Sequence, residues 1–230
     1  MIRRPLIIAH RGFSGRYLEN TLASVRAALE LGVDLVEIDV QETRDGELIV
    51  FHDYRLNRMC GVRGRVRHRT LAEIQRLNSQ VPTLREMLIA CRGRARVLIE
   101  IKRADPCKIA EVIAKLRMER EVIVFALSVV RMKQFAAAAP SVPRFGLIAR
   151  NPLWAMRRLK AAVNIEGLGI SRRLVTSPRV VQRIQRRGWK VFVWTVNREV
   201  EMKKLASWGV DGIITNHPDR ALKCLKSTLD

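Results

Sequence analysis

The chain reads as an α/β protein, a (β/α)8 TIM barrel. Three observations predict it. Eight short apolar runs, at 6–10, 35–40, 97–101, 122–127, 145–148, 165–170, 190–196 and 212–215, alternate with helix-forming stretches over 230 residues. No glycine-rich phosphate loop follows the first run, where His10-Arg11-Gly12-Phe13-Ser14-Gly15 stands instead, so an open doubly wound sheet is disfavoured. Ionisable side chains gather at the ends of several runs, where a barrel builds its active site. No composition shift marks a linker, so residues 1–230 are expected to form one domain.

Each element has a local reason. Pro5–Ala9 is a buried strand, and Asn20 or Thr21 caps the following helix, whose apolar face is Leu22, Val25, Ala28 and Leu29 and which Gly32 closes. Leu35–Val40 is a strand by composition. Asp45-Gly46 then signals a hairpin turn, with 48–52 as the returning arm. Tyr54–Arg69 is irregular and basic, an excursion from the pattern. Thr70-Leu71-Ala72-Glu73 and Thr83-Leu84-Arg85-Glu86 are capping boxes that start two short helices. From there the alternation is regular: helices start at Asp105-Pro106, Ser128, Asn151-Pro152, Ser177-Pro178, Asn197 and His217-Pro218. Those capped by Ser128, Ser177 and Asn197 stop at Pro140, Gly188 and Gly209.

Hydrophobic content of 48% is enough for a full core. The net charge is +21, carried by 33 Arg and 10 Lys against 22 acids. Such a balance suits phosphates, an anionic membrane surface or nucleic acid, although scattered Arg is also what an Arg-rich genome writes. The densest basic runs are 55–76 and 144–190. Cys60, Cys91, Cys107 and Cys224 lie far apart, without metal-ligand spacing, and read as reduced thiols of a cytoplasmic protein. The apolar run after Arg3-Arg4 is too short for a signal peptide, and no stretch reaches transmembrane length.

The chemistry collects on strand ends. Glu37 and Asp39 are two apart in a strand and share a face, as do Glu100 and Lys102. The first run ends in His10-Arg11, the hairpin returns His52, and the seventh run carries Trp194. Unpaired buried carboxylates cost several kcal/mol or more, so a cation, a basic side chain or a metal must offset Glu37 and Asp39. Glu37, Asp39 and Glu100, three hard oxygen ligands, suit Mg²⁺ or Ca²⁺. His10 and His52 are then free to act as a general acid/base pair, although both can also ligate a metal. Arg11 and Lys102 would hold a phosphate and stabilise charge on its oxygens; the alternative for Lys102 is simple neutralisation of Glu100 or Glu37. Trp194 lines the pocket or fills the core. His68 and His217 are assigned structural roles. Residue types point to phosphoryl-ester chemistry without fixing monoester or diester.

Taken together, His10-Arg11-Gly12, Glu19-Asn20-Thr21, Glu37-x-Asp39, Thr43-x-Asp45-Gly46 and His52-Asp53 resemble the glycerophosphodiester phosphodiesterase family. Pro82-Thr83-Leu84, Glu100-Ile101-Lys102, Trp194-Thr195-Val196-Asn197 and the run from Gly209 to Thr215 with Pro218 agree. The resemblance runs from residue 7 to about 218; Leu18 stands where members often have Pro. It implies a barrel with a small insertion after the second strand, at about 53–93. It implies a divalent metal, Mg²⁺ or Ca²⁺, on Glu37, Asp39 and Glu100, and His10 and His52 as acid and base. The substrates it implies are deacylated phospholipids, cut to sn-glycerol 3-phosphate and an alcohol through a cyclic phosphate made by the glycerol 2-hydroxyl. The order in which the two histidines act stays open at this level.

Two alternatives remain. The basic runs also suit a lysophospholipase D-type hydrolase in peripheral contact with an anionic membrane. A non-catalytic, nucleic-acid-binding barrel is permitted by the charge, but no aromatic-interleaved basic strand promotes it. Headgroup preference and oligomeric state are not encoded in any recognisable pattern.

Overall fold

A computed structural model describes residues 4–149 and 164–226. The strands are β1 (Leu6–His10), β2 (Leu35–Glu42), β3 (Leu48–Val50), β4 (Arg96–Arg103), β5 (Val122–Ala126), β6 (Arg144–Ile148), β7 (Gly167–Ser171), β8 (Lys190–Trp194) and β9 (Gly212–Thr215). The helices among the described residues are α1 (Leu22–Glu30), α2 (Asn57–Cys60), α3 (Leu71–Leu77), α4 (Leu84–Cys91), α5 (Pro106–Lys115), α6 (Val129–Ala138), α7 (Pro178–Gln185), α8 (Glu199–Ser207) and α9 (Pro218–Lys226). Parallel pairing runs from β1 through β9 back to β4 and β2, and β2 pairs with β1, which closes an eight-stranded barrel. β3 is the extra arm, antiparallel to β2.

The barrel closes around side chains at alternate positions. Ile8, Leu35, Leu98, Ile123, Phe125, Phe145, Leu147, Phe192 and Ile214 fill its interior. β7 faces this plug with Gly167 and Gly169. A Cβ on Gly169 would lie 2.7 Å from the Phe125 ring. Gly169→Ala is therefore expected to destabilise the protein by about 1–3 kcal/mol, read as a lower thermal midpoint. A larger apolar shell lies between the strands' outer faces and the helices.

Between β3 and β4 the chain makes a small layer with its own apolar cluster, Ile49, Phe51, Leu56, Val66, Ile74 and Val81. Both capping boxes form here: Thr70 and Glu73 start α3, and Thr83 and Glu86 start α4. Thr21, not Asn20, caps α1, with Ser24 returning the bond. Asp105 caps α5, with Pro106 in its first turn.

Some expected boundaries shift. β2 and β4 extend beyond the apolar runs, because their outer residues still pair with each other. β8 ends at Trp194, two residues early, and the hairpin arm ends at Val50. Asn197 does not cap a helix: α8 starts at Glu199 without a side-chain cap, and Asn197 Oδ1 instead accepts from Thr215 Oγ1 and the Asn216 amide. The helix expected at Asn151-Pro152 lies outside the described residues. No helix among the described residues is long and apolar enough to cross a membrane.

Candidate active site

Strand register brings the site together. His10 is level with Glu37 across β1 and β2, and Asp39 with Glu100 across β2 and β4. These residues end the inward-facing rows, above the apolar plug. His10, Arg11, Glu37, His52, Glu100, Lys102 and Trp194 all line one cleft of about 230 Å³, walled on its far side by Phe125, Leu127, Leu147 and Ile214. Asp39 is fully buried and does not line the cleft, but Arg11 and Lys102, which do, both reach it.

The three carboxylates each offer an oxygen within 4.8 Å of the others. Arg11 lies over them. Its backbone sits at φ 57, an uncommon conformation for a non-glycine residue. That turn directs its amide to Glu37 Oε2 at 3.1 Å and its Nε to 3.1 Å from Asp39 Oδ2. Ser24 and Asn20 hold the turn by donating to the Arg11 carbonyl. Lys102 reaches Glu100 at 2.8 Å and Asp39 at 3.4 Å.

Three carboxylates face two cations, so one negative charge is left over in a buried place. The consequences are unequal. Burial opposes ionisation of Asp39, but Arg11 and then Lys102 outweigh it and hold its carboxyl below the usual range. Burial, with Asp39 beside it, pushes Glu37 well above the carboxylate range. The same causes push Glu100 up to about 7. Asp39 Oδ1 is buried with no hydrogen bond, the Lys102 ammonium lying 3.4 Å away. A hard divalent cation fits this donor set, because it satisfies that oxygen and removes the excess negative charge. The pH dependence has a definite sign. Without metal, ionising Glu100 opposes folding, so that cost appears as pH rises from the ordinary carboxylate value towards about 7. Adding Mg²⁺ or Ca²⁺ is thus expected to raise the thermal midpoint more at pH 8 than at pH 5; an equal or reversed effect contradicts the assignment.

The two histidines are held differently. His10 Nδ1 is 2.6 Å from Asn216 Oδ1. A carboxamide oxygen only accepts, so Nδ1 carries the proton and Nε2 presents its lone pair to the cleft. Nε2 lies 3.9 Å from Glu37 Oε2. Burial, then the Arg11 charge, lowers the His10 pKa to about 4. His52 Nδ1 instead meets Asp53 Oδ1 at 2.7 Å. Hydrogen bonds from Arg58 hold the Asp53 carboxyl low, at about 2. Arg58 also reaches Glu19 at 2.6 Å, and Glu19 accepts from Arg11 at 3.0 Å. A chain of alternating charges thus links the two histidine-bearing segments.

Several residues have tasks that the sequence did not suggest. Asn20, a candidate helix cap, instead holds a carboxylate: its Nδ2 donates to Asp39 Oδ2, and its Oδ1 accepts from the Asp39 amide. Asn216 and Asp53 stood beside assigned residues, but only folding shows which nitrogen each one orients. Arg58 lay in a segment without periodicity. His217 precedes α9, as expected, and Gly15 packs so close that a Cβ there would lie 2.4 Å from its Nδ1.

The model of the glycerophosphoryl diester phosphodiesterase family matches residues 10–220. The chain belongs to this family. As a family member it is a phosphoric diester hydrolase. A glycerophosphodiester phosphodiesterase of Bacillus altitudinis is 31% identical, with 94% of this chain and 96% of that protein covered. The crystal structure of a glycerophosphodiester phosphodiesterase from Agrobacterium tumefaciens superposes with a TM-score of 0.83 at 29% identity, covering 95% of this chain and 99% of that one. An Oleispira antarctica phosphodiesterase solved with the product sn-glycerol-3-phosphate gives 0.85 at 25% identity, covering 97% of each chain.

Proposed function

We propose that this member of the glycerophosphodiester phosphodiesterase family hydrolyses glycerophosphodiesters, the deacylated phospholipids, to sn-glycerol 3-phosphate and an alcohol. The observation that carries the reading is the opposed histidines: His10 and His52 line one cleft with Arg11 and Lys102, and their Nδ1 atoms have different partners. Glu37, Asp39 and Glu100 would hold a divalent cation, Mg²⁺ or Ca²⁺, which when bound supplies positive charge to the phosphoryl oxygens.

The chain's own groups do the rest. Arg11 and Lys102 bind and orient the phosphate. His10 Nε2, unprotonated, takes the proton of the glycerol 2-hydroxyl as that oxygen attacks phosphorus. The nucleophile is tethered to its target, which supplies a large effective molarity. His52, its Nδ1–H held by Asp53, gives its Nε2 proton to the departing alcohol. The first step leaves a five-membered cyclic phosphate. In the second, His52 takes a proton from water as it attacks, and His10 returns its proton to the 2-hydroxyl, so both residues are restored. Trp194, with Phe125, Leu127 and Leu147, forms the apolar wall against the rest of the substrate.

The test is release of sn-glycerol 3-phosphate from glycerophosphocholine and glycerophosphoethanolamine with Mg²⁺, Ca²⁺ or EDTA. Metal-dependent release is expected; no release from either ester with either metal would reject the reading. Asp53→Asn keeps the shape but removes the carboxylate that orients His52 through Nδ1. It is expected to lower kcat by on the order of 10²-fold with little change in KM, measured on the same substrates.

A further inference from the structure

We propose that the mouth of the barrel docks on an anionic lipid bilayer. Nine large apolar side chains are exposed among the described residues, and six of them, Tyr17, Leu18, Tyr54, Leu127, Val130 and Val200, surround the catalytic end. Tyr17 and Leu18 follow β1, Leu127 and Val130 follow β5, and Val200 opens the helix after β8. Tyr54 is placed there by Arg103, whose guanidinium lies 4.7 Å from its ring centroid at the end of β4. Val130 is 65% and Val200 72% exposed, and neither lines the active-site cleft. Single exposed apolar residues are ordinary; their concentration around one opening is not.

Charge selects the occupant. Beside the active-site cleft lies a second, open one of about 400 Å³, lined by Glu42, Thr43, Arg67, Arg103, Ala104 and Arg131. The Glu42 carboxylate is already held by Lys108 at 2.6 Å and the Asp105 amide at 2.9 Å. The three guanidinium groups have no acidic partner among the described residues, so the cleft presents positive charge. A rim of apolar tips between unpaired arginines matches an anionic lipid interface, where the tips enter the acyl boundary and the arginines meet headgroup phosphates.

The test is sedimentation with vesicles of equimolar phosphatidylglycerol and phosphatidylcholine, beside pure phosphatidylcholine, at low salt. The protein is expected to pellet with the anionic vesicles only. Val130→Asp with Val200→Asp should lower the partition coefficient on the order of tenfold. Arg103→Ala with Arg131→Ala should lower it by about 25-fold, at about fivefold per arginine. Arg94→Ala with Arg120→Ala removes the same charge from the opposite end, before β4 and β5, and should change it by less than about threefold. Circular dichroism checks that each variant is folded, so binding is read whether or not a glycerophosphodiester is turned over. The proposal is overturned if the wild type stays in the supernatant, if both arginine pairs lose binding alike, or if the valine pair binds unchanged.

Discussion

Asp39→Ala is expected to cost about 3–5 kcal/mol of stability, the range for removing one partner from a buried ion-pair cluster. Asp39 is fully buried at the centre of the cluster. Its carboxylate lies 3.1 Å from Arg11 Nε and 3.4 Å from Lys102 Nζ, and it accepts from Asn20 at 3.0 Å. Removing it takes one carboxylate from Arg11 and Lys102, which keep Glu19 and Glu100, leaves the Asn20 amide without its acceptor, and deletes one proposed metal ligand. Chemical denaturation checks the magnitude. Asp39→Asn separates the two effects: it keeps the volume and removes only the charge, so metal binding should fail while less stability is lost. A stable Asp39→Ala protein with unchanged metal affinity would show that the cluster is not organised around this residue.

His10→Ala should lower kcat by roughly 10²–10⁴-fold, the range of a positioned general base. Its fold should survive, since the imidazole makes one side-chain hydrogen bond, to Asn216, and sits at the cleft rather than in the plug. The His10 pKa of about 4 also fixes the acid limb. The base form persists through neutral pH and is lost only as pH falls through about 4. The acid limb of kcat/KM assigned to His10 should therefore lie well below the ordinary imidazole value. Circular dichroism and metal binding by the variant distinguish lost catalysis from lost structure.

The pattern of strand ends made most of the site legible in the sequence. Glu37 with Asp39 and Glu100 with Lys102 sit two apart, and strand geometry alone puts such pairs on one face. The alternation of runs gave the barrel, because each strand buried on both sides must be apolar along its length. What escaped depends on contacts between distant segments. Asn197 has the residue type and position of a helix cap, yet its oxygen turns to β9, where Thr215 and Asn216 need an acceptor. Arg58 joins Glu19, 39 residues away, and nothing local marks that pairing. Helix α2 stayed hidden because it is one short turn without a buried residue. The proposed order of the histidines rests on Asn216, 206 residues from His10, and on which His52 nitrogen its neighbour Asp53 meets.

The decisive measurement compares His10→Ala and His52→Ala on two esters of glycerophosphate, one with choline and one with p-nitrophenol as leaving group. A p-nitrophenolate departs without a proton. His52→Ala should then be impaired by roughly 10²-fold or more on the choline ester but by less than about tenfold on the p-nitrophenyl ester. His10→Ala should be impaired on both. Equal impairment of His52→Ala on the two esters, or the selective rescue appearing in His10→Ala instead, would contradict the assignment of His52 as acid and His10 as base.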